Sequence, residues 1–237
     1  MSNKVKIIVT GGTGRFGKIL KQNVGKNYIF PNKTKLNILK LNSTIKYLKK
    51  IRPKYLIHLA GLSRPIDLHE NNLKKSISLN IIGTSNITIA CSALNIKLIY
   101  FSTSYVYPGK KGNYDEKSSL LPCNNYAWSK LGAEAAVQMY KNSLILRVSM
   151  TEKPFVHKFA YADMKTNFIF HKDFVKIFKK IITFRGVLNI GGPSMSVYRF
   201  AKKYKKNVKK KYLKDEKENK MPMNTSMNLG KLKKLLK

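Results

Sequence analysis

The sequence is poor in acidic residues and in long apolar runs. Eleven Asp and Glu residues stand against 47 Lys and Arg residues in 237 positions, which gives a formal net charge of +36. No uninterrupted apolar stretch approaches the roughly 20 residues that a membrane helix requires, so we expect no membrane span. The first residues, Met1–Lys6, run directly into a strand-like segment, which predicts that no secretory signal is present.

Cysteine and histidine are scarce and scattered. Cys91 and Cys123 have no metal-ligand spacing and form no obvious disulfide framework. We therefore expect two ordinary reduced thiols in a cytoplasmic protein. The four histidines are too widely separated in the sequence to indicate a metal site, and we expect no bound metal.

The excess of positive charge is spread along the whole chain. A field of this strength attracts nucleotides, nucleic acid and anionic membrane surfaces. Lys, Asn and Ile are all abundant, however, which indicates a general compositional bias. The densest basic run, Lys202–Lys220, fits either a solvated helix face or a flexible loop. We expect nucleic acid to bind only nonspecifically, through this basic charge.

Strands and helices are predicted to alternate along the chain. A hydrophobic content of 43% in 237 residues suits one α/β domain, alone or with a small appendage. Apolar, β-branched runs predict strands at Lys4–Thr10, Tyr28–Phe30, Tyr55–Ala60, Leu98–Ser102, Ser143–Val148 and Val187–Ile190. Helical stretches are predicted at Phe16–Val24, Ser43–Ile51, Leu73–Leu94, Ala127–Tyr140 and Lys172–Ile182. This alternation predicts an α/β fold of the Rossmann type, a doubly wound parallel sheet with helices on both faces.

A glycine-rich turn follows the first predicted strand. Gly11, Gly14 and Gly17 have the spacing GxxGxxG and lead into a predicted helix. Glycines at this spacing allow a tight turn, a close approach to a cofactor pyrophosphate and close packing of the helix on the sheet. The helix N-terminus then offers N–H groups and positive dipole to phosphates. The position predicts nucleotide binding, although a purely structural turn is the alternative.

The residues after the second predicted strand favour NADPH over NADH. An NAD-preferring site usually has an acidic residue there to bind the ribose 2′-hydroxyl. This sequence has Lys33 and Lys35 instead, and Arg15 lies within the glycine turn. Cations at these positions would bind the ribose 2′-phosphate of NADPH. The alternative is that Lys33 and Lys35 merely share in the general lysine excess.

A YxxxK motif supplies the candidate catalytic pair. Tyr126 and Lys130 are four residues apart, so a helix places both side chains on one face. A lysine beside a tyrosine favours the phenolate, lowers the phenol pKa and allows proton exchange near neutral pH. A hydroxyl from the segment Ser102–Tyr107, at the end of the preceding strand, is expected to bind the same substrate oxygen. The alternative is a buried tyrosine and a surface lysine.

Taken in order, these motifs resemble the extended short-chain dehydrogenase/reductases, and most closely the dTDP-4-dehydrorhamnose reductase group. The matching segments are TGGTGRFG at Thr10–Gly17, Leu36–Ile38, HLAG at His58–Gly61, Leu79-Asn80, FSTSYVYPG at Phe101–Gly109, Pro122–Lys130 and Leu146–Ser149. The resemblance covers nearly the whole chain and is looser after residue 148.

The resemblance implies a role for each matching residue. Thr103 would be the triad hydroxyl, Tyr126 the proton donor to the C4 oxygen of a keto sugar, and Lys130 its modulator and a ligand of the nicotinamide ribose. The predicted cofactor-binding set is Gly11, Gly14, Arg15, Phe16, Gly17, Lys33, Asn37, Ile38, Ala60, Gly61, Asn80, Tyr126 and Lys130. Asn37 stands where relatives usually have an aspartate, which weakens that contact. Asn80 matches a family asparagine for which a structural role and a catalytic role both stay open.

The resemblance also predicts the division of the chain. Residues 1–148 would form the NAD(P)-binding Rossmann domain, and residues 149–237 a small, reduced substrate-binding part that partly completes the sheet. Met150 replaces an aromatic residue common in the family. This fold often dimerises through its two long helices, here Leu73–Leu94 and Ala127–Tyr140, so a homodimer is one state that the sequence allows.

The predicted function is the NAD(P)H-dependent reduction of a nucleotide-linked 4-keto-6-deoxy sugar, with NADPH preferred. An NAD-dependent sugar-nucleotide epimerase or dehydratase is a related alternative. A second class is a non-catalytic NADP-binding regulatory subunit. The segment Arg64-Pro65-Ile66-Asp67, which follows HLAG, resembles the regulatory subunit of methionine adenosyltransferase. A third is a basic, nucleic-acid-associated protein that uses the fold as a scaffold.

Overall fold

The computed structural model describes residues 5–216 and 221–237, which form two compact units. The first unit contains the described residues up to Ser102 together with Ser129–Ile145 and Ile182–Gly186. The second contains Thr103–Trp128, Leu146–Ile181 and the described residues from Val187 onward. Both units are therefore discontinuous in sequence. The predicted boundary at residue 148 stays a prediction.

Twelve strands lie within the described residues. They are β1 (Ile7–Thr10), β2 (Tyr28–Ile29), β3 (Tyr55–His58), β4 (Lys97–Thr103), β5 (Ser143–Val148), β6 (Met150–Thr151), β7 (Phe159–Tyr161), β8 (Lys165–Thr166), β9 (Ile169–Phe170), β10 (Gly186–Ile190), β11 (Met195–Ser196) and β12 (Lys209–Lys211).

The main sheet has six strands in the order β10-β5-β4-β3-β1-β2. Strand β1 runs parallel to β2 and β3, with Ile7 opposite Tyr28 and Tyr55, and β3 runs parallel to β4. All four residues of β1 are buried, as expected for a parallel strand covered on both faces. The predicted Rossmann-type α/β fold is confirmed. All six predicted strands are present, although β1 begins at Ile7 and Lys4, the first residue of its predicted range, lies outside the described part of the chain.

The helices flank these strands. They are α1 (Arg15–Gln22), α2 (Leu41–Ile51), α3 (Asp67–Asn71), α4 (Leu73–Ser76), a π-helical segment (Ile77–Ile82), α5 (Gly83–Ala93), a 3-10 turn (Ser104–Val106), α6 (Asn125–Gln138), α7 (His171–Ile181), α8 (Val197–Tyr204), a second 3-10 turn (Leu213–Asp215) and α9 (Gly230–Leu236). None of the described helices is long and apolar enough to span a bilayer.

The long helix predicted at Leu73–Leu94 is interrupted in the structure. Its middle part, Ile77–Ile82, is π-helical and separates α4 from α5. Hydrophobic periodicity does not reveal such an interruption, because one wider turn changes the register without changing the residue types. Asn80 lies within this segment.

The second unit has its own apolar core and three two-stranded sheets. Strand β12 pairs parallel with β7, β6 parallel with β9, and β11 antiparallel with β8. The buried core residues are Phe155, Ala160, Met164, Phe170, Val197, Phe200, Ala201, Val208 and Leu213. The basic run at Lys202–Lys220 thus begins in α8 and contributes β12 and a 3-10 turn; residues 217–220 lie outside the described residues.

A buried histidine links three elements of the first unit. The His58 side chain is 1% exposed, and its Nδ1 lies 2.8 Å from the Thr10 hydroxyl of β1. Its Nε2 lies 3.0 Å from the Thr84 hydroxyl of α5. Burial, aided by the positive charge of Lys130, lowers the pKa of His58 to about 3. The imidazole is therefore neutral in the folded protein, and it joins β1, β3 and α5.

This arrangement predicts a loss of stability in mild acid. The unfolded state takes up a proton at His58 near pH 6.5, whereas the folded state does so only near the pKa of about 3. Folding stability therefore falls as the pH decreases below about 6.5, by about 2 kcal/mol at pH 5 from this residue alone.

The measurement is the free energy of unfolding in urea at pH 8 and pH 5, for the wild type and for His58→Gln. Glutamine keeps hydrogen-bonding atoms at this position but does not titrate. The stability of the variant should depend less steeply on pH, because the other histidines are the same in both proteins. Identical pH dependence in the two proteins would contradict the prediction.

Candidate functional site

The glycine turn between β1 and α1 is as tight as the motif predicts. Gly11 has a φ of 71°, and a Cβ atom on it would lie 2.5 Å from the backbone nitrogen of Ala60. A Cβ atom on Gly17 would meet the carbonyl oxygen of Gly11 and would lie 2.8 Å from the Cα of Gly12. Only glycine therefore allows the turn to pass so close to the end of β3 and to the first turn of α1. The predicted strand–turn–helix arrangement is confirmed.

The N-terminus of α1 follows this turn without a side-chain cap. Gly14 is the N-cap residue, and its own N–H donates to the Gly11 carbonyl over 3.0 Å. The first turn of α1 contains no acidic residue, so the positive end of the helix dipole is not offset there. Arg15 is exposed, and its guanidinium donates to the Ser63 hydroxyl over 3.3 Å. Phe16 is buried and packs against Phe101 of β4, with ring centroids 5.3 Å apart.

Asn80 holds the loop that follows β3. Its Oδ1 accepts the Leu62 N–H over 2.6 Å, and its Nδ2 donates to the Leu62 carbonyl over 2.9 Å. The same Nδ2 donates to the Ser129 hydroxyl of α6 over 2.8 Å. A Cβ atom on Gly61 would lie 2.9 Å from Asn80 Oδ1, so the loop passes directly over this amide. Asn80 thus holds the backbone at Gly61 and Leu62, and its contact with a cofactor stays a prediction.

Asn37 and Ile38 form an ordered turn before α2. The Asn37 Oδ1 accepts the Leu39 N–H over 3.1 Å, and its carbonyl accepts the N–H of Lys40 over 2.9 Å. The Ile38 side chain is buried beside Gly83, and its carbonyl accepts the Asn86 side-chain amide over 2.9 Å. Lys33 is exposed. The cofactor contacts predicted for Asn37, Ile38 and Lys33 stay predictions.

Lys130 on α6 has an unusual environment for a lysine. Its Nζ lies over the Tyr100 ring, 4.3 Å from the centroid, and its carbonyl accepts the Tyr100 hydroxyl over 3.2 Å. Burial lowers the pKa of Lys130 to about 7, and the negative charge of Glu134 opposes that shift. A lysine whose pKa is lowered this far is typical of a functional site.

Glu134 lies beside Lys130 but was not among the predicted site residues. Its side chain is fully buried, one helical turn after Lys130, and it accepts the Ser102 hydroxyl over 2.6 Å and the Gln138 amide over 3.2 Å. A buried carboxylate requires such partners because desolvation opposes its charge. The signal in the sequence is the spacing of four residues from Lys130, which places both side chains along one side of the helix.

Thr103 and Tyr126 belong to the second unit, where each lies next to Tyr105. Thr103 ends β4, is 6% exposed and accepts the Tyr105 N–H at its hydroxyl over 3.3 Å. The half-buried Tyr126 meets the Tyr105 ring edge-to-face, with centroids 6.2 Å apart. Tyr126 and Lys130 are one turn apart on α6. The predicted helical placement of the YxxxK motif is confirmed, whereas the contribution of Tyr105 was not predicted.

The described part of the chain contains two free cysteines and no candidate metal centre. Cys91 and Cys123 are free thiols, the first buried and the second exposed. No cluster of three or more His, Cys, Asp or Glu side chains suited to a metal ion occurs among the described residues.

Comparisons with known proteins place this chain in a family. The family model described as RmlD substrate binding domain matches residues 5–168. Methionine adenosyltransferase 2 subunit beta from Pongo abelii is 28% identical over 142 residues, which cover 56% of this chain and 42% of that protein. A dTDP-4-dehydrorhamnose reductase from Aggregatibacter actinomycetemcomitans is 25% identical over 202 residues, which cover 81% of this chain and 63% of that protein. This chain thus spans less than two thirds of the length of either relative.

A solved structure has the same fold. The dTDP-4-dehydrorhamnose reductase from Bacillus anthracis, determined in complex with NADP, superimposes with a TM-score of 0.88 at 24% identity and covers 98% of this chain and 92% of that one. The family model covers most of the chain and includes the glycine turn, Thr103, Tyr126 and Lys130. The chain therefore belongs to the RmlD substrate-binding family, within the extended short-chain dehydrogenases/reductases.

Proposed function

We propose that the protein reduces a nucleotide-linked 4-keto-6-deoxy sugar with NADPH. The observation that carries this proposal is Lys130, a half-buried lysine with a pKa of about 7 that lies one helical turn after Tyr126. Perturbed pKa values cluster at functional sites, so a partly buried lysine with a lowered pKa, one turn after a tyrosine, supports a chemical role. Family membership supports the same reaction class.

The residues of the glycine turn suit a dinucleotide. A Cβ atom on Gly11 would clash with the backbone of Ala60, and one on Gly17 would clash with the turn itself. The α1 helix begins directly after this turn, and its N-terminus has no side-chain cap. Such an arrangement accepts a pyrophosphate. When bound, the nicotinamide supplies the hydride that reduces the carbonyl carbon of the substrate.

Each predicted catalytic residue has a distinct task in this proposal. The Tyr126 hydroxyl donates a proton to the C4 oxygen of the substrate, and the Thr103 hydroxyl hydrogen-bonds to that oxygen. The ammonium of Lys130 favours the phenolate left on Tyr126. Glu134 favours the charged form of Lys130, which makes it an electrostatic partner of the pair.

A non-catalytic regulatory subunit is the second candidate function. The similarity to methionine adenosyltransferase 2 subunit beta from Pongo abelii favours it. A protein with that role alone would bind NADP but would turn over no keto sugar.

A homodimer, formed through the two long helices, and a cytoplasmic location stay predictions. The exposed apolar residues Leu73, Ile77, Ile82, Ile89 and Met139 on or next to those helices support the homodimer.

Turnover with a substrate panel separates the two candidates. Purified protein should oxidise NADPH in the presence of one or more dTDP-, UDP-, GDP- or CDP-linked 4-keto-6-deoxy sugars. Tyr126→Phe should lower kcat by about 10²–10⁴-fold, because it removes the proton donor, and should leave cofactor binding nearly intact. Tyr140→Phe serves as the matched control, since Tyr140 lies just beyond the C-terminal end of α6 and its hydroxyl donates to the backbone carbonyls of Cys91 and Ile96. Unchanged turnover in Tyr126→Phe would refute the mechanism.

The glycine turn provides a test of cofactor binding. Gly17→Ala should strongly weaken NADPH binding, because the added methyl group meets turn backbone that has no room to move. Gly25→Ala is the matched control: Gly25 lies outside the predicted cofactor-binding set, and its Cβ would meet only the Asn27 side-chain oxygen, 3.3 Å away. Fluorescence titration with NADPH, beside urea unfolding of both variants, checks the difference. Equal affinities would show that the turn does not hold the cofactor.

Cofactor preference depends on Arg15 in this proposal. We expect a higher kcat/KM with NADPH than with NADH, and Arg15→Ala should reduce the value for NADPH by about 10–100-fold, because a charge-assisted hydrogen bond to the 2′-phosphate is lost. Lys21→Ala, in the last turn of the same helix, should leave it unchanged. Equal efficiency of the wild type with the two cofactors would exclude the preference.

A further inference from the structure

The strongest feature outside the candidate site is a row of alternating aromatic and basic side chains in the second unit. The Nζ of Lys210 lies 5.9 Å from the Tyr198 ring centroid and 5.3 Å from that of Tyr212. The Nζ of Lys214 lies 5.5 Å from the Tyr212 centroid. We call Tyr198, Lys210, Tyr212 and Lys214 the Tyr–Lys row.

The backbone beneath the Tyr–Lys row is well anchored. Val208 and Leu213 are 4% and 1% exposed and belong to the apolar core of the second unit. The carboxylate of Asp163 accepts the N–H groups of Leu213 and Lys214, over 2.8 and 3.1 Å. Strand β12, which contains Lys210, pairs with β7. The row is therefore presented by a supported platform, and its rings need little ordering on binding.

The side chains of the row face solvent. Tyr212 is 37% exposed, Lys210 and Lys214 are exposed, and Tyr198 is half-buried. The surrounding segment, residues 197–216, contains nine Lys and Arg residues and only two acidic ones. One of those acids, Glu216, already pairs with Lys211. A ligand at this surface is thus offered cations and aromatic rings together.

We propose that the Tyr–Lys row binds single-stranded nucleic acid without sequence preference, with lysines on phosphates and Tyr212 stacked on a base. Lysine alone would attract any polyanion, but exposed tyrosines between lysines match a chain that alternates phosphates with planar bases. A duplex hides the faces of its bases, and an acidic peptide has few planar groups to stack. The proposal is independent of the proposed reductase activity.

The test measures fluorescence anisotropy of a labelled oligothymidine of about 12 nucleotides, a length within the usual site size. Tyr212→Ala should weaken binding by about 5–100-fold, since stacking of one base is lost. Tyr212→Phe, which keeps the ring but loses the hydrogen bond with Lys210, should bind much more tightly than Tyr212→Ala. Tyr47→Ala, on the basic surface of α2, is the matched control and should change little.

Salt dependence separates the Tyr–Lys row from the general charge of the protein. The double variant Lys210→Gln/Lys214→Gln should reduce the slope of log affinity against log salt by about 1.4, the value for two phosphate contacts on a single strand. Lys46→Gln/Lys49→Gln removes the same charge from exposed positions of α2 and should leave the slope unchanged. If Tyr212→Ala does not fold, as judged by circular dichroism, this pair decides the question.

Several outcomes would overturn the proposal. Equal losses in the two lysine double variants would mean that only diffuse charge attracts the oligonucleotide. Equal affinity for a duplex of the same length, or for polyglutamate of the same charge, would mean that base stacking does not contribute. Full binding by a folded Tyr212→Ala variant would also mean that base stacking on Tyr212 does not contribute.

Discussion

The first unit depends on the close approach of two backbones where β1 ends. Gly11 passes so near to Ala60 that no side chain fits between them, and Gly17 packs on Gly11 in the same way. The start of α1 is thereby held against the ends of β1 and β3. His58 reinforces this junction. Its side chain is buried, and its two ring nitrogens form hydrogen bonds with the hydroxyls of Thr10 and Thr84. A shift of any one of these elements would break several contacts at once.

The same crowding shapes the electrostatics of the site. Lys130 is a cation in a poorly hydrated environment, where the Tyr100 ring and the Glu134 carboxylate are its favourable neighbours. His58 stays neutral nearby, because burial and the charge of Lys130 both oppose its protonation. In a chain with a net charge of +36, the overall field attracts anionic ligands in general, whereas these few groups act locally on whatever enters the site.

Sequence reasoning succeeded where a local pattern dictates a local structure. The strand before the glycine turn, the turn itself and the helix that carries Tyr126 and Lys130 were all predicted from spacing and residue type, because each depends on near neighbours in the chain. It did not find the π-helical segment at Ile77–Ile82 or the role of Asn80 in holding the loop at Gly61. The contacts of Asn80 depend on residues that lie 18 and 49 positions from it in sequence.

The sequence by itself determined the fold class, through the alternation of strand and helix patterns, and it placed the YxxxK motif on a helix, since backbone sterics and periodicity act within a few residues. Only the tertiary structure decided that Lys130 has a lowered pKa beside a buried carboxylate, because desolvation depends on atoms from several elements. It also decided which of the many lysines have aromatic neighbours. The residues around Tyr126 illustrate both: its place on α6 follows from the sequence, whereas its contact with Tyr105 required the folded second unit.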